Sequence, residues 1–200
     1  TATDLTEVVD CWRIVYYEYL KLGFIEENPF QIFAYKEIIN KRTSVYYSKI
    51  KSNIISTMSI TLDDHSDLPL NKMFNDEINA LRKDNGKLAE VGLLARKGTG
   101  SIRKYFYDIF LLMLCAHQYA IIHDLDYLIA GINPAHFSFY NRFFTFEKIS
   151  EEKVHTGLNG QPVVLCKGDF IKQIKQCPID KMDPAMKNMY LNPILIPNFH

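Results

Sequence analysis

KLAEVGLLARKGTGSIRKYFYDIFLLMLCAHQYAIIH, residues 87–123, puts a strand, a glycine-rich turn and a long helix in immediate succession. Leu88 to Ala95 is an apolar run holding one carboxylate, Glu90. Arg96-Lys97-Gly98-Thr99-Gly100-Ser101 breaks the run with two glycines, two cations and two hydroxyls. From there Tyr105, Ile109, Leu112, Ala116 and Tyr119/Ala120 recur at helical spacing, which predicts a helix opening directly out of the turn. A helix start behind small residues presents unpaired backbone N–H groups and a positive dipole end, a site for phosphate or another anion. A carboxylate on the strand before such a turn points to group transfer from a phosphorylated carrier.

Working outward, Asp4-Leu5-Thr6-Glu7 fits a capping box. Leu5, Val8, Val9, Trp12, Val15, Tyr16, Tyr19 and Leu20 then make one apolar face, so a helix is expected to about Leu22, stopping at Gly23. Residues 29–39 read as a loop with room for a short helix. Ser44–Ile50 and Ile54–Leu62 alternate as strands around the polar turn Lys51-Ser52-Asn53, an antiparallel hairpin. A helix is expected over Asn71–Lys83, a strand over Asp126–Ile132 and a helix from Asn133 to about Arg142. An extended segment over 143–155 and a last strand over Pro162–Lys167 complete the pattern. Helix, hairpin, then strand–helix–strand–helix–strands is an α+β domain around a mixed sheet.

Two hundred residues at 48% hydrophobic content suit a single core, with one domain over 1–170 and a proline-containing tail, 171–200, packing on it. The 23 basic and 23 acidic side chains cancel, which argues against nucleic acid as a partner. Cys11, Cys115, Cys166 and Cys177 have no C-x-x-C spacing and read as thiols of a cytoplasmic protein. No run is read as long enough to span a bilayer. Asp63, Asp64, His65 and Asp67 lack the glycine of a calcium loop, and no histidines show ligand spacing, so no metal is expected.

Four segments give a more specific signal. Trp12–Ile25 (WRIVYYEYLKLGFI), Leu68–Ala95 (LPLNKMFNDEINALRKDNGKLAEVGLLA), Ile132–Phe146 (INPAHFSFYNRFFTF) and Asn159–Leu165 (NGQPVVL) resemble, in order and spacing, the FeeM-type N-acyl amino acid synthases. These are relatives of the acyl-homoserine lactone (autoinducer) synthases within the GNAT-type N-acyltransferases. The resemblance implies a mixed, mostly antiparallel sheet with splayed central strands, here Leu88–Ala95 and Tyr127–Ile132, and flanking helices. It implies an acyltransferase that moves a long-chain acyl group from an acyl-phosphopantetheine thioester, on acyl carrier protein or coenzyme A, to an amine such as an amino acid. Departures from the pattern are local. Arg96 and Gly98 stand one residue closer than in the general acetyltransferase motif, and Gly92-Leu93 stand where the autoinducer branch has Ser-Arg.

The candidate residues follow. Glu90 in apolar surroundings is the base that binds and deprotonates the ammonium, against the alternative of a strand-end charge paired with Lys or Arg. Tyr140 is a phenol able to protonate the leaving thiolate, or a core aromatic among Phe137, Phe139, Phe143 and Phe144. Arg96, Lys97, Gly98, Thr99, Gly100 and Ser101 are the expected phosphate site, Val91 and Leu93 the backbone at the thioester, and Asn133 a pantetheine contact. Arg13 and Tyr17 lie on the first helix, where the autoinducer relatives place substrate-shaping residues, and His136 is either a reserve base or a capping residue at a helix start. No Ser or Cys has an evident base partner, so direct attack without an acyl-enzyme is expected. The rivals are a non-catalytic acyl-binding module and an acetyl-coenzyme A acetyltransferase of the same fold.

Overall fold

The computed structural model describes residues 1–64, 68–83, 86–98 and 102–169, with backbone alone at 102–104. The expected tail 171–200 lies outside the described residues. The elements run α1 (Leu5–Lys21), β1 (Thr43–Ile50), β2 (Asn53–Leu62), α2 (Asn71–Lys83), β3 (Leu88–Arg96), α3 (Ile102–Ile122), β4 (Tyr127–Ile132), α4 (Phe137–Phe144), β5 (Phe146–Lys148), β6 (Lys153–His155) and β7 (Gln161–Asp169). The sheet order is β1-β2-β3-β4-β7-β5, with β6 also on β7. Only β3 and β4 run parallel among these pairs.

Helices cover both faces. Ala89 and Val91 of β3 join Leu128, Ala130, Val164 and Cys166 under α3, where Ile109, Leu112, Met113 and Ala116 pack. Leu88, Ile129, Val163 and Leu165 point the other way, onto Phe74, Ile78 and Leu81 of α2. Leu93 and Ala95 meet Trp12 and Val15 of α1. A strand covered on both sides reads as an apolar run, which is why Leu88–Ala95 hardly alternates. The long apolar helix α3 has the same origin. By length and composition its window Tyr105–Ile122 is apolar enough to cross a bilayer, contrary to the expectation from sequence, and half of that window is buried against the sheet.

The N-terminal cap forms in a modified way. Asp4 accepts from the Glu7 N–H at 2.9 Å, but the Glu7 carboxylate reaches back to the Thr3 N–H at 2.8 Å and takes the Tyr47 hydroxyl at 2.6 Å. Gly23, at φ 71°, ends α1 as expected. The short helix allowed for in the loop before β1 is a 3-10 turn over Lys36–Ile38. Three details depart from the sequence reading. Helix α2 is kinked at Phe74. Pro134–His136 forms a 3-10 turn before α4. The extended 143–155 stretch splits into the end of α4, β5 and β6.

Candidate active site

Strands β3 and β4 pair only from Leu88↔Tyr127 to Glu90↔Ile129. Beyond that point β4 follows β7 to Ile132↔Val164, while β3 follows β2. The parting is helped by a β-bulge. Ser59 opposes Gly92 and Thr57 opposes Ala95, so Leu93 and Leu94 stand across from Met58 alone. Leu93 takes φ 49°, a left-handed conformation that costs a leucine about 1–2 kcal/mol and is held here by burial against α1. The result is a cleft of about 280 Å³ that passes between the two strands.

The cleft has two chemically different sides. On the α1–α2 side lies Glu90, 5% exposed, its Oε2 accepting from the Leu70 N–H at 3.0 Å. Leu70 is positioned by the turn that opens α2, its carbonyl taking the Met73 and Phe74 N–H groups. Among the described residues no Lys or Arg pairs with Glu90. Burial therefore pushes its carboxyl up to about 8, the Leu70 hydrogen bond offsetting part of the shift and the nearby Glu37 carboxylate adding to it. Tyr35 and His155 line the same side, the Tyr35 hydroxyl 3.3 Å from His155 Nε2, and burial lowers the pKa of His155 so that it favours the neutral form.

On the α3–α4 side Tyr140 faces the cleft with Met113 and Phe146. Its ring packs edge-on against Phe139 and Phe146. Burial, then Tyr105 and Tyr19, push its phenol well above the ordinary range, so it stays protonated. Tyr19, of α1, lines the same cleft.

The other expected residues divide. Val91, Leu93, Asn133 and His136 line the cleft. Asn133 spends its side-chain oxygen on the Ala135 N–H at 2.9 Å, capping the 3-10 turn. Arg96, expected at the phosphate, is an internal staple. It is 8% exposed, and its Nε donates to Asp108 of α3 at 2.7 Å. Lys97 is exposed, and the Gly98 N–H donates to Glu18 at 3.1 Å, so this donor is already taken. Thr99, Gly100 and Ser101 lie outside the described residues. Arg13 and Tyr17 are not in the central cleft. They fall four residues apart on the outer face of α1, beside Lys49 and Lys97 in a separate surface groove, Arg13 on Asp10 and Tyr17 on Gln31. From α1 and its C-cap it is Tyr19 and Leu22 that reach the cleft instead. Asp63 of the acidic loop is held by Arg82 at 2.7 Å.

Tyr19, Tyr35 and His155 were not legible as site residues. Tyr35 and His155 are 120 residues apart, and Tyr19 reads as one more member of an apolar helix face. Gly92 had a signal, the glycine where relatives carry a side chain.

Residues 10–169 match the family model of the N-acyl amino acid synthase FeeM. The chain belongs to the FeeM family of N-acyl amino acid synthases. It is an N-acyltransferase. Three solved structures share the fold of this FeeM-family chain. FeeM, an N-acyl amino acid synthase from uncultured soil microbes, superposes with a TM-score of 0.75 at 24% identity, covering 91% of this chain and 96% of its own. The acyl-homoserine lactone synthase LasI gives 0.64 at 11% identity over 88% and 91%. An acyl-CoA N-acyltransferase from Pseudomonas aeruginosa gives 0.52 at 11% over 82% and 92%. No curated protein matches the chain in sequence. The splayed strands expected from the family resemblance are therefore present, in the fold that these acyltransferases share.

Proposed function

We propose that this FeeM-family chain transfers a long-chain acyl group from a phosphopantetheine thioester, on acyl carrier protein or coenzyme A, to the nitrogen of a small amine such as an amino acid. The observation that carries this reading is Glu90, a buried carboxylate with no cation among the described residues, at the point where β3 and β4 part. Such a group lacks its counter-ion until an ammonium arrives.

In the proposed reaction the amine enters from the α1–α2 side as an ammonium and gives a proton to Glu90, directly or through one water. The thioester lies in the gap from the α3–α4 side. The amine nitrogen attacks the carbonyl carbon, and a backbone N–H of the bulged Val91–Leu93 segment receives the oxyanion. The C–S bond breaks, Tyr140 gives its proton to the departing sulfur, and the phenolate recovers one from the nitrogen. One net proton leaves through Glu90 to water. Holding both reactants in one slot supplies much of the rate. Lys97 and residues 99–101, which follow β3 in the sequence, are the proposed contacts for the donor's phosphate, whereas Arg96 is assigned to the fold.

The test is free-thiol release from C2 to C16 acyl-carrier-protein and acyl-coenzyme A thioesters with pooled amino acids, for the wild type and Glu90→Gln. Amine-dependent release from long-chain donors is expected, reduced about 10²- to 10⁴-fold in the variant. Release from acetyl-coenzyme A alone would replace the long-chain donor. Thioester binding without release would replace catalysis by acyl binding.

A further inference from the structure

Two glycines line the cleft, and they are there for opposite reasons. A Cβ placed on Gly131 would lie 2.9 Å from Leu70 Cδ2 and 3.1 Å from Val163 Cγ2, so a side chain there would force Leu70 and Val163 to shift, and close packing favours a glycine. A Cβ on Gly92 would meet nothing nearer than Glu90 Oε1, at 3.8 Å. The backbone at Gly92 does not lie in the left-handed region, so it imposes no conformational need for glycine either. Neither packing nor strain accounts for Gly92. What the missing side chain leaves is open volume on the face that carries the Glu90 carboxylate. Across the ladder Gly92 opposes Ser59, which is buried and does not come within 4 Å of the position a Cβ would take.

We infer that Gly92 sets the size of the acceptor. The volume beside Glu90 receives the substituent on the carbon that bears the amine, so the enzyme takes α-substituted primary amines, and a side chain at position 92 restricts it to unbranched ones. The inference rests on Glu90 being the amine's binding group, as proposed above. An amine hydrogen-bonded to Glu90 Oε1 carries its α-carbon about one bond further out, so a substituent there falls where a Cβ at position 92 would project. Leu93, the other residue at which this chain departs from the autoinducer pattern, is buried against α1, so Gly92 alone opens space here. One methyl group placed in an apolar pocket is worth about 10- to 200-fold in discrimination.

The test compares kcat/KM for glycine and for leucine as acceptors, with one saturating acyl thioester, in the wild type, Gly92→Ala and Gly92→Val. Thermal unfolding is followed alongside, because an added Cβ at this strand position is expected to leave Tm level or raise it. The expected result is a leucine-to-glycine ratio that falls about tenfold or more in Gly92→Ala and further in Gly92→Val, with the KM for the thioester unmoved. An unchanged ratio in folded variants, or a KM change confined to the thioester, would overturn the inference. No amine-dependent acylation by the wild type with these two acceptors or with the pooled amino acids would overturn the proposed function itself, which separates the two failures.

Discussion

Glu90 ionises at about 8 in the folded chain against an ordinary 4.5, so across that interval the fold keeps a proton that the unfolded chain has already released. The sign follows from linkage. The folded pKa is the higher one, so the residue's contribution is fully favourable below about 4.5 and is lost as pH rises to about 8, where the cost levels off. The size is of the order of a few kcal/mol. Glu90→Gln keeps an acceptor for the Leu70 N–H and removes the titration. Denaturant unfolding at pH 5, 7 and 9 is therefore expected to show the variant gaining on the wild type at each step. A difference independent of pH would mean that Glu90 does not titrate in this window. Turnover runs the opposite way. As the proposed base Glu90 must be ionised, so kcat/KM is expected to climb to a plateau above about pH 8 in the wild type, and in Glu90→Gln to stay low with no step near 8, rising only where the free amine itself loses its proton. The conditions that stabilise this residue are those that silence it.

At the scale of elements, the end of β3 is tied to α3 by Arg96 and Asp108, at 6% and 15% side-chain exposure and 2.7 Å. Removing one partner of such a pair strands the other's charge, which costs about 3–5 kcal/mol. Asp108→Ala is therefore expected to lower Tm markedly and to leave the affinity for an acyl thioester no tighter. If Arg96 served the donor's phosphate instead, freeing its guanidinium would tighten donor binding, as equilibrium titration would show. This pair marks the limit of what the sequence could tell. The strand, turn and helix around Arg96 follow from periodicity and punctuation, as do the hairpin and the α2 bounds, because those signals are local. The partner of Arg96 is twelve residues away on a different element, and an arginine before a glycine looks the same whether it faces a phosphate or an aspartate. The bulge at Leu93 was equally hidden, since a leucine at φ 49° violates its own preference and is fixed only by α1 and β2 around it. For the same reason Glu90 could be read from the chain while its hydrogen bond could not, because the donor is a backbone N–H in a loop.

For the whole molecule, the decisive property is that one cleft opens to both faces of the sheet and holds a buried carboxyl and a protonated phenol on opposite sides. In the proposed reaction Glu90 acts on the amine and Tyr140 on the thiolate, so the two variants should respond differently to the donor. Tyr140→Phe removes the proton offered to the sulfur and nothing on the amine side. With an alkyl thioester its kcat is expected to fall by about 10²-fold or more, the range for a lost general acid. With an aryl thioester, whose thiolate departs without a proton, most of that loss should disappear. Glu90→Gln should be as impaired with the aryl as with the alkyl donor, because the amine still arrives as an ammonium. Raising the pH should rescue it in part by deprotonating the amine in solution. Parallel single-turnover measurements on the two variants with the two donors decide the matter. If the aryl donor rescues both, departure of the thiolate governs the rate and Glu90 is not the base. If it rescues neither, Tyr140 belongs to the packing against Phe139 and Phe146, and the proton reaches the sulfur from elsewhere.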